Sequence, residues 1–334
     1  MTALAHPDHP PAPGDTPGTV LVVGGTGFIG SAVLRALARH QGPRGGAPTL
    51  LALCRKPPRT GLPGVRYAAG DLTDPTTLRG VCSGVTTVVH AASYVGRDSR
   101  QCREINHTGT RALLDEARRH EVRRFLYVST ASVYGTGPHR GIREGQLDPS
   151  PASAASASRL LAEEDVRAAG ATVLRPPLVY GVGDRWFVPA LAHLLRRVPS
   201  WPDGPHARTS VVAVEDLARI TAALVRQPHP ARTAGGTYHV ADPRPLPWGD
   251  LLARLRTLLH LPQAPPVPLA EHRSLVRRSL PDLSDHQYSL LTEDHWYDTE
   301  RIWRSTGLRP GPGFGGRFAA CSAWYARQLR HATA

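Results

Sequence analysis

The chain has 334 residues, 41% of them hydrophobic and 20% charged, with a net charge of +13. This balance excludes a fibrous or low-complexity chain and leaves room for one large domain or two smaller ones with a full core. No apolar run approaches the roughly 18 residues of a membrane span, and the basic residues are scattered rather than gathered in a patch, so neither a membrane nor nucleic acid is an expected partner.

Residues 1–18 are rich in proline and small residues and read as a disordered tail without a secretory signal. TVLVVGG (19–25) is a β-branched run ending in glycines, the pattern of a buried parallel strand. FIGSAVLRALARH (28–40) follows at helical spacing, with Ile29, Val33, Leu34 and Leu37 on one face. TLLALC (49–54), VRYAAGD (65–71), TTVVHAA (86–92), FLYVST (125–130) and ATVLRP (171–176) are the next strands, with helices at 105–120 and 151–170 between the later ones. Strands alternating with helices at this spacing imply an α/β fold of the Rossmann type, a doubly wound parallel sheet.

After Pro176 the rhythm breaks. Helices are expected at 187–198, 214–227 and 248–260 and a strand at 237–242, while 261–320 is proline-rich and reads as irregular. The expected division is a Rossmann domain over 19–176, with return segments near 211–242. A smaller C-terminal substrate region takes 177–210 and 243–334. Cys54, Cys82, Cys102 and Cys321 lack any metal-ligand spacing, so no metal site is expected, and reduced thiols in a cytoplasmic protein are.

Gly24, Gly27 and Gly30 lie between the first strand and the first helix. The first permits the tight turn, the second lets backbone approach a pyrophosphate, and the third lets helix pack on sheet. The helix then turns its free N–H groups and positive dipole end towards the phosphates. At the end of the second strand stand Arg55 and Lys56, where an acidic residue would grip a ribose 2′-hydroxyl. An arginine there suits a 2′-phosphate, so NADP(H) is expected ahead of NAD(H).

With these residues the sequence resembles the extended short-chain dehydrogenase/reductase family over about residues 19–325. GGTGFIG (24–30), which includes Thr26, Phe28 and Ile29, resembles the family's glycine loop. Gly70-Asp71-Leu72 resembles its adenine-contacting turn, and His90-Ala91-Ala92 the loop after the fourth strand. Asn106 resembles a structural asparagine, VSTASVYG (128–135) the active-site strand end, LRPPLVYGVGD (174–184) the turn against the nicotinamide that contains Pro176, and VVAVEDLAR (211–219) a further segment. The resemblance implies a small-molecule substrate and a homodimer formed through helices near 103–119 and 152–168.

The family's chemistry uses Tyr-x-x-x-Lys on the helix after the fifth strand. That spacing puts both side chains on one helix face, where the lysine charge lowers the phenol pKa. Here Ser158-Arg159-Leu160-Leu161-Ala162-Glu163 resembles the anchor of that motif, placing Arg159 at the lysine position and Ala155 at the tyrosine position. Lys56 is the single lysine, so no shifted alignment restores the pair. Arg159 can still hold a ribose, and Thr130, at the Ser/Thr position, can orient a substrate oxygen.

The missing proton donor leaves Tyr134, Tyr94 and His90 to weigh, each also readable as structural, and Cys102 as a remote nucleophile. Trp186, Phe187, Trp201, Trp296 and Tyr297 can line a pocket or fill a core, and Arg185 and Arg208 can meet an anion or solvent. The expected activity is redox chemistry at a carbonyl or secondary alcohol of a specialised metabolite or sugar derivative. A non-redox elimination, cyclisation or isomerisation on the same scaffold, or a cofactor-holding sensor, are the alternatives.

Overall fold

The computed structural model describes residues 18–39, 48–203, 207–227, 235–261 and 263–331. Residues 1–17 of the expected tail lie outside this set. β1 (Thr19–Val23), α1 (Phe28–Ala38), β2 (Thr49–Cys54), β3 (Val65–Ala69) and β4 (Val85–His90) open the chain. Then α2 (Ser99–Gln101), a π-helical stretch (Cys102–Thr108) and α3 (Gly109–Arg119) run end to end. β5 (Arg124–Val128), β6 (His139–Ile142), α4 (Ala154–Ala168) and β7 (Thr172–Arg175) complete the first half.

β8 (Leu178–Tyr180), α5 (Phe187–Arg197), β9 (Arg208–Thr209), β10 (Val211–Ala213), α6 (Val214–Arg226), β11 (Thr237–His239) and β12 (Leu246–Pro247) follow. The chain closes with α7 (Trp248–Leu259), α8 (Leu269–Ser279), α9 (Asp285–Thr292), β13 (His295–Tyr297), α10 (Glu300–Thr306) and α11 (Gly313–His331).

Seven strands form one parallel sheet in the order β11-β7-β5-β4-β1-β2-β3. The order reverses between β1 and β4, and the crevice at such a switch point is where open α/β sheets bind ligands. β1 shows why it sits in the middle. Val20 and Val22 enter the core beneath α1 and α6, while Leu21 and Val23 enter the opposite core beneath α3 and α4. A strand buried on both faces reads as a continuous apolar run because neither face meets water.

A third core joins α5, α7 and α11 around Trp248, Leu251, Leu255 and Tyr325. A small sheet of order β12-β9-β13-β6 and the parallel pair β8–β10 lie outside the large sheet. The irregular reading of 261–320 is corrected: α8, α9, β13, α10 and the start of α11 occupy it. Most of these elements are short, and three of them are set by local signals. α8 follows Pro268, α9 starts on a Ser284–Gln287 capping box, and α10 ends on Gly307 in the left-handed conformation.

Candidate active site

The turn after β1 is built by close approach. Gly24 has φ +81, and a Cβ there would sit 2.8 Å from the Ala92 nitrogen. A Cβ on Gly30 would fall 2.2 Å from the Gly24 carbonyl oxygen, so only glycine allows α1 to start this near the sheet. α1 begins at Gly27 with no side-chain cap. Its first N–H groups therefore face the crevice without a partner from their own N-cap side chain.

From this turn a cleft of about 1740 Å³ runs along the C-terminal edge of the sheet and under the later helices. Gly24, Thr26, Gly27, Phe28, Ile29, Arg55, Asp71, Leu72, Ala91 and Ala92 line it at one end, with Thr130, Arg159 and Pro176 beyond. Gly30 lies behind the turn, and Lys56 is exposed outside the lining. Asp71 is shaped by its own loop, its carboxylate accepting from the Thr73 backbone at 2.9 Å and hydroxyl at 2.8 Å.

Ala155 lines the cleft where the resemblance places a phenol. Four residues on, the Arg159 Nη2 donates to the Val128 carbonyl at 2.9 Å. The buried Arg159 Nε and Ser129 Oγ have no partner within the chain, although both residues line the cleft. The Tyr127 hydroxyl and the His90 Nδ1 are unpaired in the same region, beside Arg159. The uncapped helix start and the glycine cradle fit the diphosphate of a dinucleotide.

Thr130 lines the cleft, its hydroxyl oxygen accepting from the Ser132 N–H at 3.1 Å. Tyr134 does not line it, which corrects its candidacy as proton donor. The residue is 2% exposed, and its hydroxyl accepts from Arg175 Nη1 at 2.7 Å and gives its proton to His239 Nε2 at 2.7 Å. The His239 Nδ1–H goes on to the Asp298 carbonyl at 3.2 Å. Burial raises the Tyr134 pKa, with the Arg175 guanidinium acting against it.

His90 is also structural. The Thr110 hydroxyl donates to the Asn106 carbonyl at 2.7 Å, so it must accept from His90 Nε2 at 2.8 Å. Burial and the Arg159 charge push the His90 pKa down to about 3, which keeps the ring neutral. Cys102 is fully buried with its thiol directed to the Gly96 carbonyl, and burial raises its pKa. That is the opposite of an activated nucleophile.

Tyr94 remains in the cleft. Asn106, on the π-helical stretch, clamps its backbone by accepting from the Tyr94 N–H at 2.7 Å and donating to its carbonyl at 2.8 Å. The same carboxamide donates to Ser158 on α4 at 3.0 Å, tying this loop to the helix that carries Arg159. All nine tyrosines of the chain are described, and Tyr94 is the one that lines the cleft.

Trp186, Phe187 and Arg185 line the far end. Trp201 packs instead in the third core beside Trp248, and Tyr297 stacks on Tyr134 at 5.5 Å. Neither Trp296 nor Arg208 reaches the cleft, and the Arg208 N–H donates to Asp294.

Sequence reasoning missed two features. Asp184 caps α5, accepting from the Trp186, Phe187 and Val188 N–H groups at 2.8 to 2.9 Å and from the Tyr325 hydroxyl at 2.9 Å. An aspartate just before an apolar helical run signals this cap. The other is the α8–α9 connection. Leu280, Pro281, Asp282 and Leu283 close one side of the cleft, and Arg97 bridges to Asp282 at 3.5 Å. No local sequence signal links residues so far apart.

The profile of the NAD dependent epimerase/dehydratase family matches residues 20–241. The chain belongs to that family. This family member is 30% identical over 322 aligned positions to the 2-alkyl-3-oxoalkanoate reductase of Stenotrophomonas maltophilia (strain K279a), covering 87% of this chain and 94% of the relative. It is 31% identical over 333 positions to a dTDP-glucose 4,6-dehydratase of Streptomyces griseus, covering 92% and 93%. Among solved structures, a dTDP-glucose 4,6-dehydratase double mutant from Streptomyces venezuelae with NAD bound superposes with a TM-score of 0.71 at 23% identity, over 93% of this chain and 98% of that one. That likeness shows the doubly wound fold. The family member is thus an enzyme of the extended short-chain dehydrogenase/reductase type, with Ala155 and Arg159 where the resemblance expects Tyr and Lys.

Proposed function

We propose that this enzyme uses NADP(H) to interconvert a carbonyl and a secondary alcohol on a small molecule. The observation that carries the reading is the glycine turn at the uncapped start of α1, which opens onto a cleft lined by Thr130 and Arg159. A nicotinamide dinucleotide bound there supplies a hydride donor or acceptor. Arg55, exposed at the end of β2 and lining the cleft, meets the 2′-phosphate. Arg159 holds the ribose, Thr130 orients the substrate oxygen, and Tyr94 exchanges the proton in place of the missing phenol at position 155. A relative that reduces 2-alkyl-3-oxoalkanoates supports carbonyl chemistry.

The same reading includes a homodimer through the α3 and α4 faces. Within the chain the π-helical stretch that leads into α3 is joined to α4 through Asn106–Ser158 and through His107–Asp165 at 3.2 Å, and solution mass decides the dimer. Fluorescence titration tests the cofactor. NADPH binds more tightly than NADH, and Arg55→Asp removes about 10- to 100-fold of NADPH affinity, the size of a lost charge-assisted contact. Equal affinities for the two dinucleotides reject the preference. Ala155 on the cleft wall also favours a second reading, a non-redox reaction with the cofactor structural. Turnover that survives complete cofactor removal would establish it.

A further inference from the structure

The substrate half of the cleft has a chemistry of its own. A single-ligand pocket occupies roughly 300–1,000 Å³, and this cleft of about 1740 Å³ leaves room for a second molecule beside a dinucleotide. Beyond Pro176 its walls mix apolar side chains (Phe187 and Leu194 from α5, Leu283 and Leu291 from the α8–α9 connection and α9, and Trp324 from α11) with Arg185, His193, Arg197 and Gln287.

Exposure supplies an independent observation. Four large apolar residues among those described are strongly exposed: Val95 at 41%, Val182 at 42%, Trp186 at 66% and Leu269 at 52%. Val95 and Trp186 line the cleft, and Val182 precedes Gly183, which also lines it. A single exposed apolar side chain is ordinary, but two on the lining of one cleft suit a surface that meets an apolar ligand. The position of Trp186 is fixed through its backbone, whose N–H donates to the buried Asp184 carboxylate at 2.8 Å. Its side chain is left 66% exposed.

The cations of the cleft are partly committed. Arg97 is bridged to Asp282 and Arg159 is bonded to the Val128 carbonyl, which leaves the exposed Arg185 and Arg197 near α5.

We propose that this half of the cleft takes a lipophilic ketone or its secondary alcohol, with a hydrocarbon body lying between Trp186, Phe187 and the α8–α9 connection, rather than a sugar linked to a nucleoside diphosphate. The proposal rests on the redox reading for where the carbonyl sits, but its test does not depend on turnover. Calorimetry of the full chain saturated with NADP⁺ measures the binding of hexan-2-one, octan-2-one, decan-2-one and dTDP-glucose. Affinity rises about fourfold per added methylene, as transfer of a CH₂ from water requires. Decan-2-one binds more tightly than dTDP-glucose. Trp186→Ala weakens decan-2-one about tenfold while the affinity for NADP⁺ and the Tm stay unchanged, because that side chain is 66% exposed.

Affinity that is flat along the ketone series, or dTDP-glucose binding more tightly than decan-2-one, overturns the proposal. Ketones that bind with the expected slope yet never oxidise NADPH sink the redox reading and leave this one standing. Ketones that turn over with no dependence on chain length do the reverse.

Discussion

Tyr94 and Tyr134 show how neighbours decide what a phenol can do. Tyr134 gives its proton to His239 and is sealed at 2% exposure, so no substrate can reach it. Tyr94 lines the cleft with its backbone gripped by Asn106, and its ring lies over Gly96 of the same loop. As the proton donor, Tyr94→Phe lowers kcat by about 10²- to 10⁴-fold with KM little changed, the range of general acid catalysis. A change confined to KM, read from steady-state kinetics, would show Tyr94 to be a substrate contact only. At this scale the glycine turn was legible because a Cβ on Gly30 would fall 2.2 Å from the Gly24 oxygen, which admits one residue type. The misplacement of Tyr134 was not, because its partners Arg175 and His239 are 41 and 105 positions away.

Between elements, α4 and β7 are joined by a buried ion pair. Arg175 Nε donates to both Glu163 oxygens at 3.1 Å, and the two side chains are 4% and 0% exposed. Such a pair adds little over an apolar pair of the same shape, yet breaking it strands a charge. Glu163→Leu alone therefore costs about 3–5 kcal/mol, while Glu163→Leu combined with Arg175→Met recovers most of the loss. Urea midpoints at unchanged slope measure both. A double variant no more stable than the single one contradicts the argument. The elements of the large sheet were legible because apolar runs and flanking glycines fix strand and helix locally. In 261–320 the helices of 7 to 11 residues were obscured by the surrounding prolines and turn residues, although Pro268, the Ser284–Gln287 box and Gly307 mark their ends.

Across the whole molecule, burial keeps several histidines neutral. It pushes His139, His239 and His272 down to about 4 and His90 to about 3, with the Arg159 charge adding to the shift at His90. In the unfolded chain they titrate near 6.5. Above about pH 6.5 neither state binds these protons and their contribution to stability is complete. As pH falls below that value the unfolded chain takes up protons the folded chain refuses, so stability declines until about pH 4. The Tm at pH 5 lies below that at pH 7.5, and identical values by calorimetry would contradict the burial argument.

The first core also reaches to the far end of the chain. Ile302 and Trp303 on α10 complete the layer over β11 and α6, and the Trp303 indole N–H donates to the Ala241 carbonyl at 3.0 Å. During synthesis on the ribosome, the nucleotide-binding half therefore emerges with one flank bare. It cannot seal until the segment around residue 303 has left the exit tunnel, so the earliest part of the chain to be made is among the last to be finished.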